Sequence, residues 1–241
     1  MRVPMPQWLR ERNRVAIAAG LVGSAVLALS TTASLGGFTA SVTNTGDKAQ
    51  SGSLIMQEQV TPTGGTTTTC LSTGTGTAIT TNANTGCTAN KFGALTNTAP
   101  GASSFSTVVI TNQGSLPANT FSMGVGACTA TPTAPPGATA TNVGSDTAGF
   151  CGKMDVTIED ITGTPACVYP AGAGACPALS NTCNLATLAT FAPVATPVAL
   201  TAPLAAGAAR TYKVTVGLDA SATNADQAMA ATQPITFNFG S

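Results

Sequence analysis

The sequence predicts an all-β fold, an antiparallel β-sandwich of jelly-roll type with long cysteine-bearing loops and one short helix near the C-terminus. Two observations carry that expectation. Several segments alternate apolar and polar residues with a period of two, and the stretches between them are rich in Thr, Gly, Asn and Pro, the residues of turns and loops.

The first alternating segment is 34–44, where Phe38, Ala40 and Val42 interleave with Thr39, Ser41 and Thr43, so that one face is apolar and the other polar. The run SFSTVVITNQG, 104–114, is apolar on both faces at its centre through Val108, Val109 and Ile110, as a strand inside a sheet would be, and ends in the turn signal Asn112-Gln113-Gly114. Four further strands follow from their apolar sets: Phe121, Met123 and Val125; Met154, Val156 and Ile158; Tyr212, Val214, Val216 and Leu218; Ile235, Phe237 and Phe239. Only SATNADQAMA, 221–230, reads as helix, and it leads through Gln233-Pro234 into the last strand. Residues 61–99, 129–149 and 162–203 show no period and read as long loops held by cysteines, not as linkers between domains.

Ahead of the first strand, Arg2, Arg10, Arg12 and Arg14 precede the apolar run VAIAAGLVGSAVLAL, 15–29. Its fifteen residues fall short of the roughly 20 that a spanning helix needs. Thr31-Thr32-Ala33 offers small residues to a signal peptidase, so 1–33 is expected to be a cleaved secretory leader and 34–241 a single exported domain. Removing the leader leaves five basic against eight acidic residues, a net charge of −3. So sparse and negative a surface does not suit a phosphate backbone, and neither nucleic acid nor, once the leader is gone, a membrane is an expected partner. No cysteine follows the leader for lipidation, so attachment at a cell surface would be through protein contacts.

Cys70, Cys87, Cys128, Cys151, Cys167, Cys176 and Cys183 all lie in the exported part, where an oxidising compartment lets thiols pair. None has CxxC spacing, which argues against a zinc ribbon. The sequence leaves the connectivity open. Neighbouring pairs, such as Cys70 with Cys87 and Cys128 with Cys151, are the simplest arrangement, and the odd count leaves one thiol buried and inert, free, or paired with another chain.

The chain has no histidine, which removes Ser-His-Asp and Cys-His nucleophilic machinery and HExxH-type zinc sites. Carboxylate-only hydrolysis would have to draw on Asp155, Glu159, Asp160, Asp219 and Asp226. Asp155 and Glu159 share the polar face of one strand, and a solvated strand face is the simpler reading of them, ahead of a calcium site or a catalytic pair. Stacking on sugars is poorly served: the single Trp8 leaves with the leader, and Tyr212 sits on an apolar strand face beside only one other tyrosine, Tyr169.

Three stretches together resemble the TasA and camelysin-like secreted proteins, whose leaders are cut by SipW-type signal peptidases. They are TTASLGGFTASVTNTG with AQSGSLIM, then SFSTVVITNQGSLPA, and NADQAMAATQPITFNF. The cysteine-bearing loops have no counterpart in this resemblance. It implies a jelly-roll subunit of an extracellular or cell-surface fibre, of the kind that builds biofilm matrix or pilus-like filaments, with each N-terminal strand completing the sheet of the next subunit. Camelysin-type members are described as metallopeptidases, an activity for which a histidine-free chain offers no recognisable machinery.

The sequence expectation is therefore a secreted structural protein that is its own partner, met by a signal peptidase during export, with no enzymatic activity and no cofactor. In it 34–44 is a donor strand anchored by Phe38, Ala40 and Val42. The alternatives are that the strand pairs within its own sandwich, and that the protein is a monomeric secreted binding protein or a camelysin-like peptidase.

Overall fold

The alternating segments pair as antiparallel strands because burying one face of each requires a facing layer. The computed structural model of the chain describes residues 50–74, 82–83, 86–93, 95, 98–133 and 143–241. The expected leader and the strand at 34–44, with Phe38, Ala40 and Val42, lie outside them.

Strands β1 (Met56–Pro62), β2 (Thr68–Leu71), β3 (Ser103–Asn112), β6 (Met154–Asp160), β7 (Ala166–Tyr169) and β9 (Ala209–Leu218) form a six-stranded sheet in the order β2-β1-β3-β9-β6-β7. Strands β4 (Thr120–Val125), β8 (Val198–Ala199) and β11 (Ile235–Gly240) form a three-stranded sheet, β11-β4-β8. A two-stranded ribbon joins β5 (Thr129–Pro132) to β10 (Met229–Thr232). All ladder pairings are antiparallel. Residues Ser51–Ser241 make one compact unit.

The two larger sheets face each other across one core. Val108, Ile110, Val156, Val214 and Val216 project from the six-stranded sheet to meet Phe121, Met123 and Phe237. Tyr212 lies in this core as its apolar strand face predicts, with its ring stacked on Phe237 at 5.7 Å and edge-on to Phe121 at 6.1 Å. Central β3 runs between β1 and β9, as its doubly apolar centre predicts; Val108 and Ile110 are buried, while Val109 on the opposite face is half-buried.

Three departures from the expectation concern the aperiodic segments. The one α-helix among the described residues, α1 (Leu185–Phe191), lies inside 162–203, a stretch expected to be loop. It is held by a reciprocal cap: Asn184 Oδ1 accepts from Thr187 N and Thr187 Oγ1 accepts from Asn184 N, both at 3.0 Å, while Leu185 and Leu188 are fully buried. Secondly, the helical reading of 221–230 is realised as a single 3-10 turn, Asn224–Asp226, capped by Thr223. Ala228, at φ 49°, leaves the helical region, and Met229–Thr232 then extends to pair with β5. Thirdly, β2, β5, β7 and β8 are short strands within segments expected to be loop.

The disulfides tie these segments down. Cys70–Cys87 and Cys128–Cys151 are the neighbouring pairs the sequence suggests, Cys167–Cys176 is the third, and Cys183 is a free, half-buried thiol packed against the core.

Candidate functional site

An edge strand exposes a row of backbone donors and acceptors, and folded proteins usually keep such edges short, charged or covered. Most edges here follow that rule. β8 has two residues, β2 and β7 have four each, and β7 is backed by its own return, where Cys167 N donates to Gly174 O at 2.7 Å. β11 departs from it. Its six residues, Ile-Thr-Phe-Asn-Phe-Gly, carry no charge and no proline, and among the described residues it pairs with β4 alone.

Beside this edge lies a groove of about 970 Å³. One side is the run from Ala231 to Phe239; the other is the start of β1, the end of β2 and the segment 87–92. Phe237 anchors the first side by burying its ring in the core, so the edge it belongs to is held from behind. Gln233 reinforces it, since Nε2 donates to Leu185 O at 2.8 Å and to Gly126 O at 3.1 Å.

The second side is assembled differently. Cys70 of β2 is joined to Cys87, with the Cα atoms 5.9 Å apart, and Lys91 Nζ meets Glu58 Oε1 of β1 at 2.8 Å. Asn90 shapes the turn by accepting from Phe92 N and donating to Gly93 O, each at 3.0 Å, and Ala89 and Phe92 pack on the core. At the mouth, Leu54 and Met56 line the groove; Met56 N donates to Ser72 Oγ at 3.0 Å, and Asn82 Nδ2 bonds to Leu54 O. Leu54 and Met56, near the start of the described residues, therefore stand at the groove's rim. Among the described residues of the lining, Glu58 and Lys91 alone are charged, and they neutralise each other.

The carboxylates weighed as catalytic or calcium-binding candidates are committed elsewhere. Glu159 Oε1 accepts from Cys176 N at 3.1 Å, Asp160 Oδ1 from Thr162 N at 2.9 Å, Asp219 Oδ1 from Ser221 N at 2.7 Å, and Asp226 Oδ2 from Thr223 N at 2.8 Å in the 3-10 cap. Among the described residues no group of three or more Cys, Asp or Glu side chains is placed to hold a metal ion.

The solvated-face reading is corrected for Asp155, while Glu159 is half-exposed. The chain before α1 runs along the edge of β6, where Val156 N donates to Cys183 O at 2.7 Å and Asn184 bridges to Asp155, and Leu179 lies against Gly217, the partner of Asp155 on β9. Asp155 is left 5% exposed and Thr157 5% exposed, with Asp155 Oδ1 buried and unpartnered. Burial pushes the Asp155 carboxyl up to about 6, Asp219 adds to the rise, and Lys153 opposes it. Hydrogen bonds from Ser221 hold Asp219 below its ordinary range.

Of the expected site residues, the structure brings together the cysteine pairs, and Cys70 and Cys87 stand in the groove lining. The groove itself was not legible, because 54–58, 70–72, 87–92 and 231–239 are far apart in sequence; its one local signal is the uncharged, proline-free final strand. No protein-family model matches the chain, and no curated protein matches it. No helix among the described residues is long and apolar enough to cross a membrane.

Proposed function

We propose that the protein is a secreted structural subunit that assembles into extracellular or cell-surface fibres, each copy lending its strand at 34–44 to the groove of the next. The observation that carries this reading is the open edge of β11, the longest unpaired edge among the described strands, lying along a groove lined almost wholly by uncharged residues. The segment SLGGFTASVTN is likewise uncharged, with apolar side chains every second residue and hydroxyls between them. Strand addition would satisfy the edge by ladder hydrogen bonds, and alternate side chains would enter the groove. Such a contact joins two different surfaces, so it propagates instead of closing. Three disulfides fit a life outside the cytoplasm. A jelly-roll subunit of the TasA-like kind has the same assembly logic, and the resemblance at both ends of the chain supports it.

The test is negative-stain microscopy of the mature protein beside its Phe38→Asp variant. Burying Phe38 at each joint contributes about 1.5–3 kcal/mol, so the variant should remain monomeric while the mature protein forms filaments. Its fold should survive, because Ser51–Ser241 is a compact unit with a buried core of its own. Filaments from Phe38→Asp would refute strand donation; an unfolded variant would place the strand in its own sandwich; a mature protein that stays monomeric would point to a binding role for the groove.

A further inference from the structure

The two sides of the groove are held by different means. The β11 side is laddered to β4 and packed into the core. By contrast, among the described residues none of 87–93 shares a backbone hydrogen bond with a strand. This wall stands in place through the Cys70–Cys87 bond, the Lys91–Glu58 ion pair and the packing of Ala89 and Phe92. The ion pair is largely buried, its side chains 13% and 15% exposed, so its Coulomb attraction is offset by the desolvation of both groups. The Cys70–Cys87 bond is therefore the one covalent restraint on 87–93, whereas β1 and β2 on the same side are held by their own ladders.

Resting on the strand-donation reading, we infer that the Cys70–Cys87 disulfide determines whether a subunit can accept a strand, and leaves its capacity to donate one untouched. In the reduced subunit 87–93 loses its covalent tether and keeps the ion pair and side-chain packing, so an incoming strand must bear more of the cost of ordering it. The donor segment contains no cysteine and lies outside the loop the bond closes. Closure is a thiol–disulfide exchange with a disulfide oxidant of the exported compartment. The thiolate of one cysteine attacks the oxidant and forms a mixed disulfide; the second cysteine displaces the oxidant as a dithiol, two electrons pass to it, and two protons leave the cysteines. Export would then convert a donor-only subunit into one that both donates and accepts, keeping polymer growth out of the reducing interior.

The experiment mixes three full mature chains: wild type, Cys70→Ser/Cys87→Ser and Phe38→Asp. Alone, the double-serine variant should give no filaments. Fluorescently labelled and added to wild type, it should sit at one tip of each filament and shorten the population, since it can lend its strand but take none. Phe38→Asp should cap the opposite tip, and the two variants together should yield one-to-one heterodimers. Normal filaments from the double-serine variant would overturn the inference while leaving strand donation intact, and so would its failure to cap or to pair with Phe38→Asp. Absence of filaments from wild type would instead remove the reading beneath it. Should circular dichroism show the double-serine variant unfolded, binding of the peptide SLGGFTASVTN to Phe38→Asp protein decides. Graded reduction that opens Cys70–Cys87 with Cys128–Cys151 intact, as mapped by alkylation, should weaken that binding about a hundredfold, the scale of the entropy a closed loop of this size removes. Unchanged affinity would overturn the inference.

Discussion

Replacing Asp155 by asparagine should shift stability in the variant's favour as pH rises from acid to neutral. The carboxyl is 5% exposed, its Oδ1 has no hydrogen-bond partner, and burial first, then Asp219, raises it from 3.8 to about 6 against the pull of Lys153. The folded state therefore holds its proton where the unfolded chain has lost it. Below 3.8 both states are protonated and Asp155 costs nothing. As pH climbs from there to about 6 the unfolded chain gains from ionising and the folded one does not, so stability falls with pH across that window and stays low above it. A rise of this size corresponds to about 3 kcal/mol at pH 7. Asparagine removes that cost but buries an amide that also lacks a partner, an offset of about 1–3 kcal/mol present at every pH.

The offset cancels when two pH values are compared. Urea unfolding of both proteins at about pH 3.5 and pH 7 should show the difference in stability, variant minus wild type, moving by about 2–3 kcal/mol in favour of the variant at the higher pH. A difference that is independent of pH, or that moves towards wild type as pH rises, would refute the assignment of Asp155 as a buried carboxyl with a raised pKa. Asp219→Asn should reproduce only the smaller part of the effect, because Asp219 ranks behind burial among the causes.

Asn184→Ala removes the side chain that accepts from Thr187 N and donates to Asn181 O at 2.7 Å, and should cost about 1–2 kcal/mol, read as a melting temperature lower by a few degrees; an unchanged melting temperature would contradict the capping role. Peptide mapping without reductant, after blocking free thiols under denaturing conditions, should recover Cys70–Cys87, Cys128–Cys151 and Cys167–Cys176 with label on Cys183 alone, and label on any other cysteine would contradict the pairing.

Strands whose apolar set is set by one facing layer were legible: Tyr212, Val214 and Val216 in β9, Val156 and Ile158 in β6, and Ile235 and Phe237 in β11 all point to the core their alternation predicts. Elements that owe their form to distant chain were not. β5 is Thr-Ala-Thr-Pro and β10 is Met-Ala-Ala-Thr; each is extended because it has the other to pair with. The Ala and Met of β10 suit a helix locally, and the tertiary pairing prevails over that preference. In α1 the apolar residues Leu185, Leu188 and Phe191 span only two turns, too short a run for periodicity to stand out in an Ala- and Thr-rich segment. Asp155 was misread for the same reason. Its strand alternates as though one face met water, but the aperiodic chain before α1 pairs along its edge through Cys183 and Asn184 and brings Leu179 against Gly217, the partner of Asp155 on β9.

The division between a rigid and a tethered side of the groove bears on how a subunit could remain folded before it meets its neighbour. Phe237 packs between Phe121 and Tyr212, at 6.0 and 5.7 Å, so the β11 edge is fixed by the same contacts that make the core. An acceptor edge built this way does not need an incoming strand to hold its shape. On the opposite side β1 and β2 are laddered to each other, and the irregular stretch 87–92, joined to β2 by one disulfide, offers side chains from Ala89 to Phe92. An arriving strand would, on the strand-donation reading, join the ladder along β11, with its apolar face received by the groove between β11 and that wall. On the strand-donation reading the consequence is directional: β11 sets the register of the joint, and the stapled wall sets whether the joint lasts.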